Sequence, residues 1–246
     1  MKLTQLIREA TAYPAVTEAD VNNLCDVTGS ITIVDNVVNV EGDVTLKSIK
    51  VKTLKVLPFK FGNVKGKFDA QDGFRLESLI NFPDQCNEID ITDNIGMKSF
   101  AGGENIRCAT FKAVDTQITS FEGCPTSFGY DFTGTVGVTS TVGIPTNRLG
   151  AITLTKCTNL RDIRNIVITK PTYNGVCVYD WNPDFPMLGP ILLAKVPGRL
   201  DFSLNEMKVN PKFLTIYREY KGKGLGFIIE LADELRNKGF EGNARF

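Results

Sequence analysis

Ile118-Thr119-Ser120-Phe121-Glu122-Gly123-Cys124-Pro125 is one copy of a short phrase: an aliphatic residue, a spacer, a hydroxyl residue, an apolar residue, and Pro five positions past the hydroxyl. On its N-terminal side the phrase recurs as Val51-Lys52-Thr53-Leu54 to Pro58, Leu76-Glu77-Ser78-Leu79 to Pro83 and Met97-Lys98-Ser99-Phe100. On its C-terminal side it recurs as Val138-Thr139-Ser140-Thr141 to Pro145 and Leu160-Arg161-Asp162-Ile163. Successive hydroxyl positions lie 25, 21, 21, 20 and 22 residues apart, the period of a leucine-rich-repeat-like solenoid. One such unit cannot bury its apolar face alone, so the copies must stack into a continuous core.

Ahead of each phrase stands a triplet that alternates apolar, polar, apolar. These are Phe68-Asp69-Ala70, Ile89-Asp90-Ile91, Phe111-Lys112-Ala113, Tyr130-Asp131-Phe132 and Ile152-Thr153-Leu154. As strands, each would turn its outer pair inward and its middle residue outward. In a parallel ladder Asp69, Asp90, Lys112, Asp131 and Thr153 would then form one outward stripe. The hydroxyl of each phrase fits a turn, bonded to a local backbone amide. A ladder of serines is not a nucleophile, which needs one activated position.

The flanks read as closures. Leu3, Leu6, Ile7 and Ala10 share a helical face, and Arg8 and Glu9 interrupt any signal-peptide core. Thr17-Glu18-Ala19-Asp20 has the form of a capping box, and Asp35-Asn36 between Ile31-Thr32-Ile33-Val34 and Val37-Val38-Asn39-Val40 reads as a tight hairpin. Near the end, Asn210-Pro211 opens a helix, and Phe227, Ile228, Leu231 and Leu235 mark a second one closed by Lys238-Gly239. The expected layout is a helical and hairpin cap over 1–43, solenoid repeats over 44–170, irregular terminal coils over 171–209 and a helical segment over 210–246. The expected fold class is a strand-rich repeat solenoid with a parallel ladder and helical caps at both ends.

Composition narrows the chemistry. The chain has no histidine, which removes Ser-His-Asp and Cys-His dyads, His-ligated metals and the usual neutral-pH base. Asp69 and Asp90 are the one regular acidic pair on a common face, where a carboxylate couple could hold a divalent cation or share a proton. Six scattered cysteines without a C-x-x-C pair read as reduced core thiols in a reducing compartment. Opposite charges balance at 28 each, so no global field draws the protein to nucleic acid or an anionic membrane. No apolar run approaches the roughly 20 residues of a membrane span.

Charge is uneven locally. Lys47, Lys50, Lys52, Lys55, Lys60, Lys65 and Lys67 occur without an intervening acid, and the stretch after them is acidic. Read linearly this is a dipolar surface, suited to oriented docking on a protein of complementary field. The run lacks the aromatic and Arg interleaving of a base-stacking platform, so nucleic acid is not the expected partner. Tyr173, Tyr179, Trp181 and Phe185 gather large rings in a Pro-interrupted segment and read as partner anchors or as an end seal. Lys221-Gly222-Lys223-Gly224-Leu225-Gly226 lacks the phosphate-loop spacing and reads as an interhelical turn.

The stretches Val40-Glu41-Gly42-Asp43-Val44, Leu57-Pro58-Phe59-Lys60-Phe61-Gly62-Asn63-Val64-Lys65-Gly66 and Ile118 to Pro125 resemble the leucine-rich-repeat-like proteins of tailed bacteriophages. In that family a phrase close to Leu-Thr-Ser-Leu-Glu-Gly-Ala-Pro recurs at a similar period. The ending from Lys221 to Arg245 resembles the family's helical closing segment. Met97 to Gly103 departs from the pattern by lacking the Glu-Gly and Pro elements, and Asp162 replaces a hydroxyl, so those coils are expected to be distorted. The resemblance implies a phage origin and action in the host bacterial cytoplasm, and it carries over no catalytic or ligand residue.

The expected function is therefore a non-enzymatic protein-binding module that engages or inhibits a bacterial host protein. Its expected contacts are Asp69, Asp90, Lys112, Asp131, Thr153, Tyr173, Tyr179, Trp181 and Phe185, with no catalytic residue, metal or cofactor and no membrane partner. An accessory virion or decoration protein is the alternative, and a carboxylate- or metal-dependent enzyme at Asp69 and Asp90 the third reading.

Overall fold

The computed structural model describes residues 15–47, 49, 52–72, 75–162, 176, 177, 228–242 and 244. Helix α1 (Glu18–Leu24) leads into strands β1 (Cys25–Val27), β2 (Ile31–Val34), β3 (Val37–Val40) and β4 (Val44–Leu46). The ladder continues through β5 (Lys60–Asp69), β6 (Gln85–Asp90), β7 (Arg107–Lys112), β8 (Thr126–Asp131), β9 (Ala151–Thr153) and β10 (Val176–Cys177), and helix α2 (Ile228–Asn237) follows. From β5 to β10 every neighbour is parallel and in chain order. This is a β-solenoid, and the repeat period is its cause.

Four apolar columns fill the coils. Phe68, Ile89, Phe111, Tyr130 and Ile152 form one, and Ala70, Ile91, Ala113, Phe132 and Leu154 the second; all are buried. The phrase supplies the other two, Leu76, Met97, Ile118, Val138 and Leu160, then Leu79, Phe100 and Phe121. Leu54 packs against the same core while half-buried. Phenylalanines run through the centre, with Phe100 meeting Phe111 edge-on at 5.2 Å and Phe121 reaching Phe132 at 4.6 Å.

The phrase makes a second, sparser ladder across the coil from the strands. Leu79 N–H donates to Ala101 O at 2.9 Å, Thr119 to Lys98 at 3.2 Å and Arg161 to Thr139 at 2.9 Å. The hydroxyls of Ser120 and Ser140 accept from the backbone N–H of Glu122 and Val142, the expected turn role. Ser78 departs from it, its hydroxyl buried without a partner.

The Met97 to Gly103 coil is not distorted, and the second anomalous coil keeps register as far as Asp162, the last of its described residues. Asn81, Gly102, Gly123 and Gly143 occupy one coil position, two past the apolar residue of the phrase, all with φ between 69° and 103°. A Cβ on Gly123 would stand 2.6 Å from Phe100 O and one on Gly143 2.7 Å from Phe121 C. Glycine thus serves both the left-handed turn and the close approach of the preceding coil. Gly102 meets the same demand without the preceding Glu, and Asp162 holds register through a parallel bridge to Ser140.

At the start, Thr17 caps α1 in a reciprocal pair with Asp20, and Asp35 and Asn36 at φ 51° and 62° close the β2–β3 hairpin. Strand β5 is long enough to pair with both β3 and β4, while β2 and β1 add to these antiparallel. Four strands and α1 thus precede the first coil, where the sequence alone points to a short helix and one hairpin. Near the end of the chain α2 buries Leu231, Ala232 and Leu235. The helices expected over 1–10 and 210–220, and the anchors Tyr173, Tyr179, Trp181 and Phe185, lie outside the described residues. Among the described residues no helix is long and apolar enough to cross a membrane.

Candidate functional site: the outward strand face

The register places the predicted stripe side by side: Asp69 opposite Asp90, Asp90 opposite Lys112, Lys112 opposite Asp131, and Asp131 opposite Thr153. Thr45 extends the row beside Asp69. One step back along the strands, Lys67, Glu88, Thr110, Gly129 and Ala151 make a second row. Both rows face outward because Phe68, Ile89, Phe111, Tyr130 and Ile152 between them turn in.

Each aspartate also finishes its strand. The backbone N–H and hydroxyl of Thr92 donate to Asp90 Oδ1 at 3.1 and 2.7 Å, and Thr133 treats Asp131 Oδ1 the same way at 3.0 and 2.7 Å. Gln71 N–H donates to Asp69 Oδ1 at 3.1 Å. An Asp two residues ahead of a turn donor is a local side-chain clamp on the backbone. The stripe is therefore partly a product of how the coils leave the sheet.

Asp69 and Asp90 would repel one strand apart. Lys67 removes the conflict, its ammonium 3.0 Å from Asp69 Oδ2, 3.1 Å from Asp90 Oδ2 and 3.5 Å from Glu88 Oε1. Gln71 Nε2 also donates to both aspartates, at 3.2 and 2.8 Å. Lys112 binds Glu88 at 2.9 Å and stands 4.0 Å from Asp90. Burial opposes the Lys67 charge, but the hydrogen bonds and charges of Asp69 and Asp90 outweigh it and lift its pKa to about 12. The chain's own cation thus sits between the carboxylates that the metal reading required. Among the described residues no group of three His, Cys, Asp or Glu is placed to hold an ion.

Accessibility divides the stripe. Asp90 is 4% exposed, covered by Lys67, Gln71 and Thr92, whereas Asp69, Lys112, Asp131 and Thr153 stay half-buried, Asp69 with its carboxylate held by Lys67 and Gln71. The reachable part is the stretch over β7 to β9, where Thr110, Gly129 and Ala151 keep the second row low. Sequence reasoning missed Lys67 and Glu88, although the alternations Lys67-Phe68-Asp69 and Glu88-Ile89-Asp90 carry the signal.

Most of the described lysines of the run are paired, which works against a dipolar surface. Lys55 pairs with Glu77 at 2.8 Å, Lys60 with Asp84 at 2.7 Å, Lys65 with Glu41 at 2.6 Å and Lys47 with Asp26 at 3.2 Å. Segments of opposite sign along the chain are neighbouring coils in space, so their fields cancel across each interface. Most of these pairs are solvated and each adds little stability.

The five cysteines with described side chains are free thiols, four buried and Cys86 half-buried. Burial pushes the thiol of Cys25 up to about 12, that of Cys108 to about 11 and that of Cys124 well above its ordinary value. Such thiols are poor nucleophiles at neutral pH. No family model, curated protein or solved structure matches the chain.

Proposed function

We propose that this protein is a non-enzymatic binding module whose outward strand face docks on another protein. The observation that carries the reading is the face itself: rows held in register by a parallel ladder, with carboxylates already committed to turn N–H groups and lysines. Groups so saturated are rigid and passive, suited to shape and charge recognition and ill suited to proton transfer, which needs a base with a free lone pair near its substrate. A solenoid offers such an extended surface without an assembled reactive centre. The resemblance to the tailed-phage family supports a bacterial host protein as the partner and the host cytoplasm as the place of action.

The test is a pair of substitutions on the reachable stretch. Thr153→Arg adds bulk and charge at a half-buried outward position, and Lys112→Glu reverses a charge in the row. A host protein captured from bacterial lysate by the wild-type chain should be lost or weakened at least tenfold with both variants, while circular dichroism stays unchanged. Retention of that partner by both folded variants refutes the assignment of the face. Recovery of the chain in stoichiometric amount from purified phage particles would instead favour a virion component.

A further inference from the structure

Cys86 and Cys108 are direct register partners on β6 and β7. Adjacent strands lie about 4.8 Å apart, and registered residues of a parallel pair project to the same side. A disulfide spans Cα atoms about 4.4–6.8 Å apart, so the Cα spacing of adjacent registered strands falls within bridging range. Val64 on one side and Ser127 on the other complete the column, both fully buried. Cys108 is 3% exposed, while Cys86 is half-buried and donates its thiol proton to Glu88 O at 3.3 Å. A reagent from solvent therefore meets Cys86 first.

We propose that Cys86 and Cys108 form a modification site, a dithiol that a small-molecule disulfide converts into an inter-coil bridge. The Cys86 thiol gives its proton to water and its sulfur attacks the reagent disulfide, forming a mixed disulfide and releasing one reagent thiol. Cys108 then loses its proton and attacks the Cys86 sulfur, expelling the second reagent thiol. Two protein thiols are oxidised to one disulfide and the reagent disulfide is reduced to two thiols, so electrons and protons balance. The attacking species is the thiolate, and burial raises both thiols, so the reaction is slow at neutral pH and accelerates as pH rises. Because coils in a solenoid touch only their neighbours, one bridge fixes one inter-coil interface and makes the stiffness of the array respond to oxidation.

The test uses the full chain carrying Cys177→Ser, treated under native conditions at mildly alkaline pH with excess 4,4′-dithiodipyridine. The expected product has lost two hydrogens, releases two equivalents of thiopyridone and yields a linked Cys86–Cys108 peptide on non-reducing mapping. Cys108→Ser should stop at a stable pyridylthio adduct on Cys86 with one equivalent released. Cys86→Ser should slow thiopyridone release at least tenfold. A lasting adduct on Cys86 while Cys108 is present, a Cys108–Cys124 link, or an unreactive Cys86 in the folded parent would each overturn the proposal, and each is read on the Cys177→Ser parent without recourse to the Cys86 or Cys108 variants.

Discussion

Replacing Lys67 with methionine removes the ammonium that separates Asp69, Glu88 and Asp90 while keeping most of the stem volume. The Asp90 carboxylate, with its side chain 5% exposed, then loses a cation 3.1 Å away. Removing one partner of a buried ion pair costs about 3–5 kcal/mol, because the other charge is left uncompensated. Two features reduce that figure: Lys67 itself is 31% exposed, and Lys112 remains 4.0 Å from Asp90. The expected loss is therefore about 2 kcal/mol, read as a lower urea midpoint with unchanged slope in far-UV circular dichroism. Adding Asp90→Asn removes the stranded charge yet keeps an oxygen for Thr92, so the double variant should recover about 1–2 kcal/mol relative to additivity. A Lys67→Met cost below about 0.5 kcal/mol, or a double variant that is simply additive, would falsify the view that Lys67 neutralises the carboxylate row.

Gly123→Ala should destabilise by about 3 kcal/mol, from about 1–2 for a Cβ in the left-handed region and the remainder from overpacking, since φ is +77° and the new atom meets Phe100 O at 2.6 Å. The exposed neighbour change Glu122→Ala should stay within about 0.5 kcal/mol, and equal urea midpoints for the two would refute the coil-contact argument. The alkaline limb of stability should fall from about pH 10 upward, because burial raises the Tyr130 hydroxyl and its carboxylate partners raise Lys67 to about 12. Both groups are protonated in the fold above their unfolded pKa, so their contribution is complete below that value and lost as pH climbs through the folded one. Tyrosinate absorbance followed beside circular dichroism should show Tyr130 ionising only with unfolding; six tyrosines titrating in a chain that keeps its fold would contradict this.

The solenoid was legible because its evidence is periodic. A copy spacing near 21 and inward alternation at Phe111, Ala113, Tyr130 and Phe132 leave one way to bury the apolar pair of every triplet at once. The β2–β3 hairpin was legible for a local reason, since Asp35-Asn36 tolerates the positive φ that a two-residue turn demands. Strands β1 and β4 were not, because Cys25–Val27 and Val44–Leu46 are three residues each and carry no period. Their pairing is decided by the length of β5, a tertiary fact. The Glu-Gly element misled for a related reason: what recurs is a left-handed residue two past the apolar one, which Asn81 supplies as well as Gly123 does.

The candidate face shows how a repeat hides its chemistry. Lys60 and Asp84, or Lys67 and Asp90, are one coil apart in sequence and touching in space, so a basic run followed by an acidic run is the signature of pairing between coils and not of a polarised surface. The same rule predicts which outward residues remain for a partner. Where both neighbouring coils supply the opposite charge, as around Asp90, the side chain is consumed internally. Toward β8 and β9 the neighbours become Thr110, Gly129, Ala151 and Thr153, and Lys112, the register partner of Asp131, turns its ammonium to Glu88 at 2.9 Å instead. A partner docking on the proposed face should therefore make its contacts over β7 to β9, where, among the described residues, internal counter-charges are fewest.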